Sequence, residues 1–248
     1  MKHNWQMIVG LTLLGSLAAV GAESAGGPPL PSVDSVLERL AEHSQTEAAN
    51  DLAFKQRYHF TRTKAFEVRD SKGELNKREL KTQANKPVRN PEKLDAATKT
   101  RDGVPGKSGR KSDFAVDRNF LQRFEFTLVG REIINDRPTL ILDLVPAAKK
   151  PPEPELKDRI INKMAGRVWV DEAESVLVQA DFHLTEKVNV VGGIVGAIMS
   201  FSLSFNRART AEGLWFTPRL DWQLDAREVF VRRTMAVHEE ITEVQLAR

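Results

Sequence analysis

The histidines and the chain's lack of cysteine are the first guide to the chemistry that this sequence supports. Beyond the N-terminal segment the histidines lie far apart, without the HxxxH or HxH spacing of a metal site: His43, His59, His183 and His238. Since the chain contains no cysteine, a zinc site would have to be assembled from scattered groups. The sequence therefore predicts no metal site and no cofactor.

Motifs of catalytic nucleophiles and nucleotide binding are also missing. The sequence has no GxSxG elbow and no GxGxxG after a strand. Gly106-Lys107-Ser108 is similar to the end of a phosphate-binding loop, but Arg101 stands where the first glycine belongs. Pairs such as Asp171 with Glu172 fit turns and surfaces, because two adjacent carboxylates alone are a weak acid–base signal. We predict no catalytic residue and a protein that is not an enzyme.

The uncharged stretch from Val188 to Asn206 is the strongest functional lead in the sequence. Its first part, Val190 to Met199, is apolar and contains three glycines. Asn189 and three serines distinguish the stretch from a membrane-spanning helix, and its second half alternates like a strand. Two interpretations remain open: an apolar flap over a cavity or at a membrane, and a buried turn or hairpin that closes the core.

Large apolar residues alternate with polar ones along the predicted strands and form a candidate lining for an apolar ligand. For each single residue, ordinary core packing is the more common explanation. The size of the sheet favours a pocket, because roughly nine strands with few helices leave a concave face partly open. The candidate ligand-binding residues, including the flap, are Phe60, Phe126, Phe182, Ile194, Val195, Ile198, Met199, Phe201, Phe205, Phe216 and Trp222.

One helix and a series of strands must position these residues. Ser32 is a candidate N-cap for a helix whose apolar stripe consists of Val33, Val36, Leu37, Leu40 and Ala41. From residue 57 the hydrophobic period becomes two, which indicates strands. Short turns, such as Asp70 to Gly73 and Asn135 to Pro138, leave no room for crossover helices, so consecutive strands must pair antiparallel.

Further elements are expected nearer the C-terminus. A short helix is predicted from Leu156 to Met164, ending at Gly166. The last two strands are predicted over residues 227–234 and 236–246. The fold class is therefore α+β, with one strongly curved antiparallel sheet and helices on one face.

The N-terminal segment has the layout of a cleaved secretory signal peptide. Lys2 is followed by an apolar run that ends Val20-Gly21-Ala22. Without cysteine the export signal cannot be that of a lipoprotein, and disulfides are excluded. We predict a periplasmic protein with a signal peptide at 1–22, a flexible tether at 23–31 and a single domain at 32–248 that carries a mobile basic loop at 85–112.

The overall charge gives no indication of a polyanionic partner. The formal net charge is +3 and the acidic and basic residues are mixed along the chain. We expect no nucleic acid partner. The basic loop at 86–111 is either a solvated linker or a weak contact for anionic lipid headgroups.

The segment Gly166-Arg167-Val168-Trp169-Val170-Asp171, followed by a turn and the strand Val176 to Leu184, resembles the periplasmic lipoprotein-carrier superfamily of LolA, LolB and RseB-like proteins. There a Gly-x-Val-x-Ile/Val-Asp strand leads through a tight turn into its neighbour. The order of the N-terminal helix, the Tyr/Phe-rich strand and the later hairpins is also similar, especially to outer-membrane lipoprotein-sorting-like members.

The resemblance implies an unclosed half β-barrel whose helices lie on the concave side and cover a hydrophobic cavity for acyl chains. The segment 188–199 would be part of the lid or mouth. The expected function is a periplasmic carrier or sensor of a lipid or lipoprotein acyl chain, with transient contact to the membrane surface or to an envelope protein. The alternative is an envelope protein-interaction or regulatory module without a lipid ligand.

Overall fold

The computed structural model describes residues 28–87, 116–190 and 196–247. Within these ranges the chain forms four short helices and ten strands. The helices are α1 (Val33–His43), α2 (Glu47–Arg57), α3 (Arg118–Leu121) and α4 (Leu156–Ile161). The strands are β1 (Tyr58–Arg69), β2 (Leu75–Asn85), β3 (Phe124–Ile134), β4 (Arg137–Pro146), β5 (Met164–Asp171), β6 (Leu177–Leu184), β7 (Val188–Val190), β8 (Gly196–Arg209), β9 (Trp215–Glu228) and β10 (Val231–Leu246).

All ten described strands belong to one antiparallel sheet that does not close into a barrel. The strand order is β2-β1-β10-β9-β8-β6-β5-β4-β3, and β7 pairs with β8 beside this path. β1 therefore pairs with β10, so strands from the two ends of the described chain are neighbours in the sheet. The edge strands are β2 and β3, which do not pair with each other. The predicted fold class, an open curved antiparallel sheet with helices on one side, is confirmed.

The main core lies between α1 and the inner face, which we define as the face of the sheet that the helices cover. Ser32 caps α1 by accepting a hydrogen bond from the backbone N–H of Ser35, as the sequence predicted. α1 buries Val36 and Leu40 in the core cluster that also contains Leu140 and Leu142 of β4, which are fully buried. Both α1 residues lie on one side of the helix because they are four positions apart.

The helix α2 is an element that the sequence did not indicate. Phe54 is its one buried residue, and the ring of Phe54 stacks on Tyr58, Phe60 and Phe216. Polar contacts attach the same helix to distant strands. The side chain of Asn50 accepts a hydrogen bond from the backbone N–H of Trp215 and donates one to its carbonyl, at 2.9 and 2.7 Å.

The turns are formed by the residues that the sequence indicated. Asp70 accepts hydrogen bonds from the backbone N–H groups of Lys72 and Glu74, and Gly73 has φ +84°. Asn135 and Asp136 both have positive φ between β3 and β4, as a two-residue hairpin requires.

The prediction that a helix extends to Met164 and ends at Gly166 was wrong. The helix α4 ends at Ile161, and β5 begins at Met164. Gly166 lies within β5, where a Cβ atom would sit 2.1 Å from the carbonyl oxygen of Asp181. The glycine is required for the close approach of β5 and β6 and does not end a helix.

Three other boundaries differ from the sequence expectation. β9 continues to Glu228 and β10 begins at Val231, so the final strands meet at Val229 and Phe230 and not near residue 235. The basic loop was expected from residue 85, but Asn85 ends β2 and its side chain donates hydrogen bonds to the carbonyls of Lys55 and Tyr58. Residues 88–115 lie outside the described ranges.

Candidate functional site

Two adjacent rows of apolar side chains cross the inner face where β8, β9, β10 and β1 run side by side. The register aligns Leu203, Trp222, Val237 and Phe66 in one row. It aligns Phe201, Leu224, Met235 and Val68 in the next row. We call these eight residues the open strip.

The open strip is incompletely covered by the rest of the described chain. Of its eight residues Val237 is buried, and the other seven are half-buried. On β4 and β5, beneath α1, residues of the same face are fully buried. The exposed fraction is 0–1% for Leu140, Leu142, Leu144 and Val170. A half-buried surface of aromatic and aliphatic side chains is suited to an apolar ligand, because covering it removes apolar area from water.

Charged groups border the strip on the side of α2. Lys64 of β1 and Glu239 of β10 lie opposite each other in the strand register, in the row beyond Phe66. Arg62 lies one step further along β1, and its Nε atom is 3.3 Å from Oε1 of Glu239. This Nε atom is buried and has no hydrogen-bond partner among the described residues. The strip therefore ends at a cationic group and an ion pair before the aromatic cluster of α2 begins.

The predicted ligand-binding residues fall into three groups. Phe201 and Trp222 belong to the open strip, with ring centroids 6.5 Å apart. Phe182 and Phe205 are buried in the core cluster that contains α1 residues, and Phe126 is half-buried against that cluster, as are Phe201 and Leu203 of the strip. Phe60 and Phe216 belong to the separate cluster beneath α2.

The apolar stretch of the predicted flap is described only in part. Its two ends pair as a hairpin, with Val188 opposite Ile198 and Val190 opposite Gly196. Ile198 is buried, whereas Met199, at a bulge of β8, is 40% exposed. Ile194 and Val195 lie outside the described residues.

Sequence reasoning did not select Leu203, Leu224 or Met235 as site residues. The alternation of β8 and β9 placed the two leucines on the apolar side of their strands, but it did not show which part of that side a helix covers. Met235 had a weaker signal, because Arg232 and Arg233 precede it in β10. Only the pairing of β10 with both β1 and β9 brings it into the strip.

The opposite face of the same strands carries a polar depression of about 620 Å³. His183 and His238, which the sequence spacing left unconnected, both line it, together with Ser202 and Ser204. Nδ1 of His238 is 2.5 Å from Oδ1 of Asp221. The described residues form no group of three or more His, Cys, Asp or Glu side chains with the geometry of a metal site.

Two acidic groups of this depression, Asp221 and Glu67, are paired with neighbouring basic side chains. Burial has the largest influence on the pKa of Asp221 and raises it, but hydrogen bonds with His238 and Arg219 outweigh burial, so the pKa lies below its ordinary value. Glu67 accepts a hydrogen bond from Arg69 at 2.8 Å and lies 3.6 Å from Arg78. Because much of the charge in the depression is paired, the open strip is the better candidate for an apolar ligand.

The Gly166 to Asp171 segment has a structural role. Asp171 is 1% exposed and pairs with Arg137 at 2.5 and 2.9 Å. Burial is the largest single influence on the pKa of Asp171 and raises it. Hydrogen bonds from Arg137 and from the backbone N–H groups of Glu174 and Ala173 together outweigh burial, so the pKa of Asp171 lies below its ordinary value. The charged Asp171 anchors the turn between β5 and β6.

Within the described part of the chain, none of the helices combines the length and apolar character needed to cross a membrane.

Fold and site together define an open antiparallel half-barrel whose inner face is only partly covered by the described helices. Comparisons with family models and with curated proteins give no match. Comparison with solved structures does give matches, at low identity.

The matched structures include members of the superfamily that the Gly166 to Asp171 segment indicated. A LolA superfamily protein from Nitrosomonas europaea is 12% identical, with TM-score 0.31 and coverage of 88% of this chain and 95% of that one. A DUF1329 family protein from Desulfovibrio piger is 10% identical, with TM-score 0.35 and coverage of 88% and 94%. The MucA/MucB complex of Pseudomonas aeruginosa matches at 9% identity, with TM-score 0.25 and coverage of 84% and 100%. The function proposed below rests on the side chains of this chain.

Proposed function

We propose that this protein is a non-enzymatic periplasmic carrier or sensor that binds a lipid or lipoprotein acyl chain along the open strip. The observation that carries the proposal is the contrast on one face of one sheet. The inner-face residues of β4 and β5 beneath α1 are fully buried, whereas seven of the eight strip residues are half-buried. An acyl chain would complete the burial of the strip.

The energetics favour such a ligand. Each buried methylene contributes about 0.8 kcal/mol, so an acyl chain gains affinity mainly from desolvation. The strip is continuous across four hydrogen-bonded strands, and strands lie about 4.8 Å apart, which gives a surface about 15 Å wide. Arg62 at its border pairs with Glu239, so an anionic head group would share this guanidinium with that carboxylate.

Native mass spectrometry after gentle purification, combined with uptake of a fluorescent fatty acid, tests this proposal. We expect co-purifying lipid and saturable uptake of the probe. The variant Leu224→Asp places a charge in the strip and should abolish uptake. Ile133→Asp is the matched control, because Ile133 is 62% exposed near the opposite edge of the sheet. If the wild-type protein carries no lipid and takes up no probe, the proposal is wrong.

A module that holds an envelope protein is the second candidate, and the open edge of the sheet favours it. β2 pairs with β1 on one side, and ten of its eleven residues are exposed. An edge strand of this kind can accept a strand from a partner. Thr82→Pro should weaken capture of such a partner and leave fatty acid uptake unchanged, which separates the two candidates.

A further inference from the structure

The hairpin between β9 and β10 carries the most exposed large apolar side chain among the described residues. Glu228 pairs with Val231, so Val229 and Phe230 form the turn. Phe230 is 96% exposed, and Val229 and Val231 on either side of it are 51% and 49% exposed. These three adjacent apolar residues at a hairpin end, which we call the tip, lie outside the core that the described residues form.

The backbone of the tip is unfavourable for the residues it carries. Val229 has φ +53°, a region that β-branched residues rarely adopt. Two-residue hairpin turns ordinarily carry glycine, asparagine or aspartate for this reason. Valine and phenylalanine at this turn therefore stabilise neither the turn nor the core that the described residues form.

The charges around the tip match an anionic surface. Three exposed arginines flank the tip: Arg227 precedes it in sequence, and Arg232 and Arg233 follow it. Asp225 pairs with Arg232, with its Oδ1 atom 2.9 Å from Nε, which leaves Glu228 as the acidic residue next to the turn. An exposed apolar tip with flanking arginines is the arrangement that inserts shallowly at a lipid interface.

The tip is also continuous with the open strip. Along β9 and β10 the inner face passes from the Trp222–Val237 pair to Leu224–Met235, then to Ala226–Arg233 and to Glu228–Val231 at the tip. Six residues of strand separate Trp222 from Glu228, about 20 Å at the rise of an extended chain. A tip seated in a bilayer would place the end of the strip at the lipid surface.

We propose that Val229, Phe230 and Val231 form a membrane-docking tip that inserts into an anionic lipid bilayer surface and opens the strip toward it. This inference rests on the proposed function, because delivery of a lipid to the strip is what the membrane contact would serve. The contact itself can be measured independently.

Vesicle flotation tests the tip with the full chain expressed and purified from the soluble fraction. The probe is vesicles of phosphatidylethanolamine and phosphatidylglycerol, compared with vesicles of phosphatidylcholine. The double variant Val229→Gly, Phe230→Ser suits the positive φ and should fold at least as stably as the wild type. Removal of the phenylalanine contact should weaken vesicle association about tenfold.

The matched control is Ile133→Ser, which removes another exposed apolar residue near a hairpin. It should leave vesicle association unchanged. Arg233→Gln should lower the preference for anionic vesicles about fivefold and reduce the salt dependence. All variants share the same N-terminal sequence, so differences between them report the substituted residues alone.

Fatty acid uptake from solution separates this inference from the proposed function. The tip variant should still take up the probe, whereas Leu224→Asp should lose uptake and still float with vesicles. A wild-type protein that floats but takes up no fatty acid would support the tip and contradict the proposed function. The tip proposal is overturned if the double variant floats as well as the wild type, or if the wild type does not float at all.

Discussion

The inner face of the sheet has two regions of similar composition and different burial. Beneath α1, the region of β3 to β6, which we call the covered half, contains Leu140 and Leu142 at 0% exposure. In the open strip, Leu203 and Leu224 occupy equivalent inward positions and are half-buried. Since the same sheet and the same residue type occur in both regions, the difference comes from the helices.

The comparison shows that this sheet has more apolar face than its described helices cover. α1 is 11 residues long and packs on the covered half. α2 is equally long but packs on the far end of β1, β9 and β10. A monomer rarely leaves a contiguous apolar surface partly open without a partner for it, so the open strip is where we place the ligand.

The matched substitutions Leu142→Ala and Leu224→Ala test this contrast directly. Leu142 is fully buried, so its truncation leaves a cavity and should cost about 3 to 4 kcal/mol. Leu224 is half-buried, and its truncation should cost about 1 kcal/mol. Urea unfolding at neutral pH measures both. Equal losses would mean that the strip is packed as tightly as the covered half.

The Arg137–Asp171 pair should account for a large part of the stability of the covered half. Arg137→Gln leaves a buried carboxylate without its charged partner, and we expect a loss of about 2 to 4 kcal/mol at pH 7. Arg167→Gln is the control, because Arg167 pairs with Asp143 on the exposed surface. That variant should unfold like the wild type.

The same pair gives the covered half a defined response to acid. Because the folded-state pKa of Asp171 is below the unfolded value of about 3.9, its stabilisation is complete above the unfolded pKa and is lost as the pH falls through the folded pKa. The difference in the free energy of unfolding between the wild type and Arg137→Gln should therefore become smaller as the pH falls from 7 to about 3. A gap that widens in acid would contradict this assignment.

Gly166→Ala should destabilise the covered half by overpacking. The added Cβ would meet the backbone oxygen of Asp181 at 2.1 Å, so β5 and β6 must separate. Such strain costs about 1 to 3 kcal/mol. Gly130→Ala is the matched control within the same sheet, because nothing lies within 4 Å of its added Cβ. A thermal unfolding scan in which both variants melt together would refute the role given to Gly166.

Local patterns in the sequence were sufficient to predict α1 and the strands. Ser32 and the i, i+4 spacing of Val36 and Leu40 specify the helix without reference to the rest of the chain. Alternation identified β1, β8 and β9 because one side of each strand is apolar. Gly166 was misinterpreted as a helix end, since a glycine after a short helix and a glycine at a close strand contact look the same in sequence.

The helix α2 and the extent of the site could not be predicted in this way. One buried residue, Phe54, gives no stripe, and the contacts that hold α2 come from strands distant in sequence as well as from the adjacent β1. They include the bidentate pairing of Arg207 with Glu47 at 2.7 and 2.9 Å. Because the position of α2 decides that Phe60 and Phe216 are covered, alternation alone could not separate them from Phe201 and Trp222.

Single-cysteine labelling tests the central claim, that the open strip receives an apolar ligand, most directly. The chain contains no cysteine, so Met235→Cys in the strip, Leu142→Cys in the covered half and Ile133→Cys on the surface each report one position. A thiol reagent should label Met235→Cys more slowly than Ile133→Cys and faster than Leu142→Cys. Saturating oleate should slow the labelling of Met235→Cys severalfold and leave that of Ile133→Cys unchanged. Unchanged labelling of Met235→Cys in the presence of oleate would contradict the account.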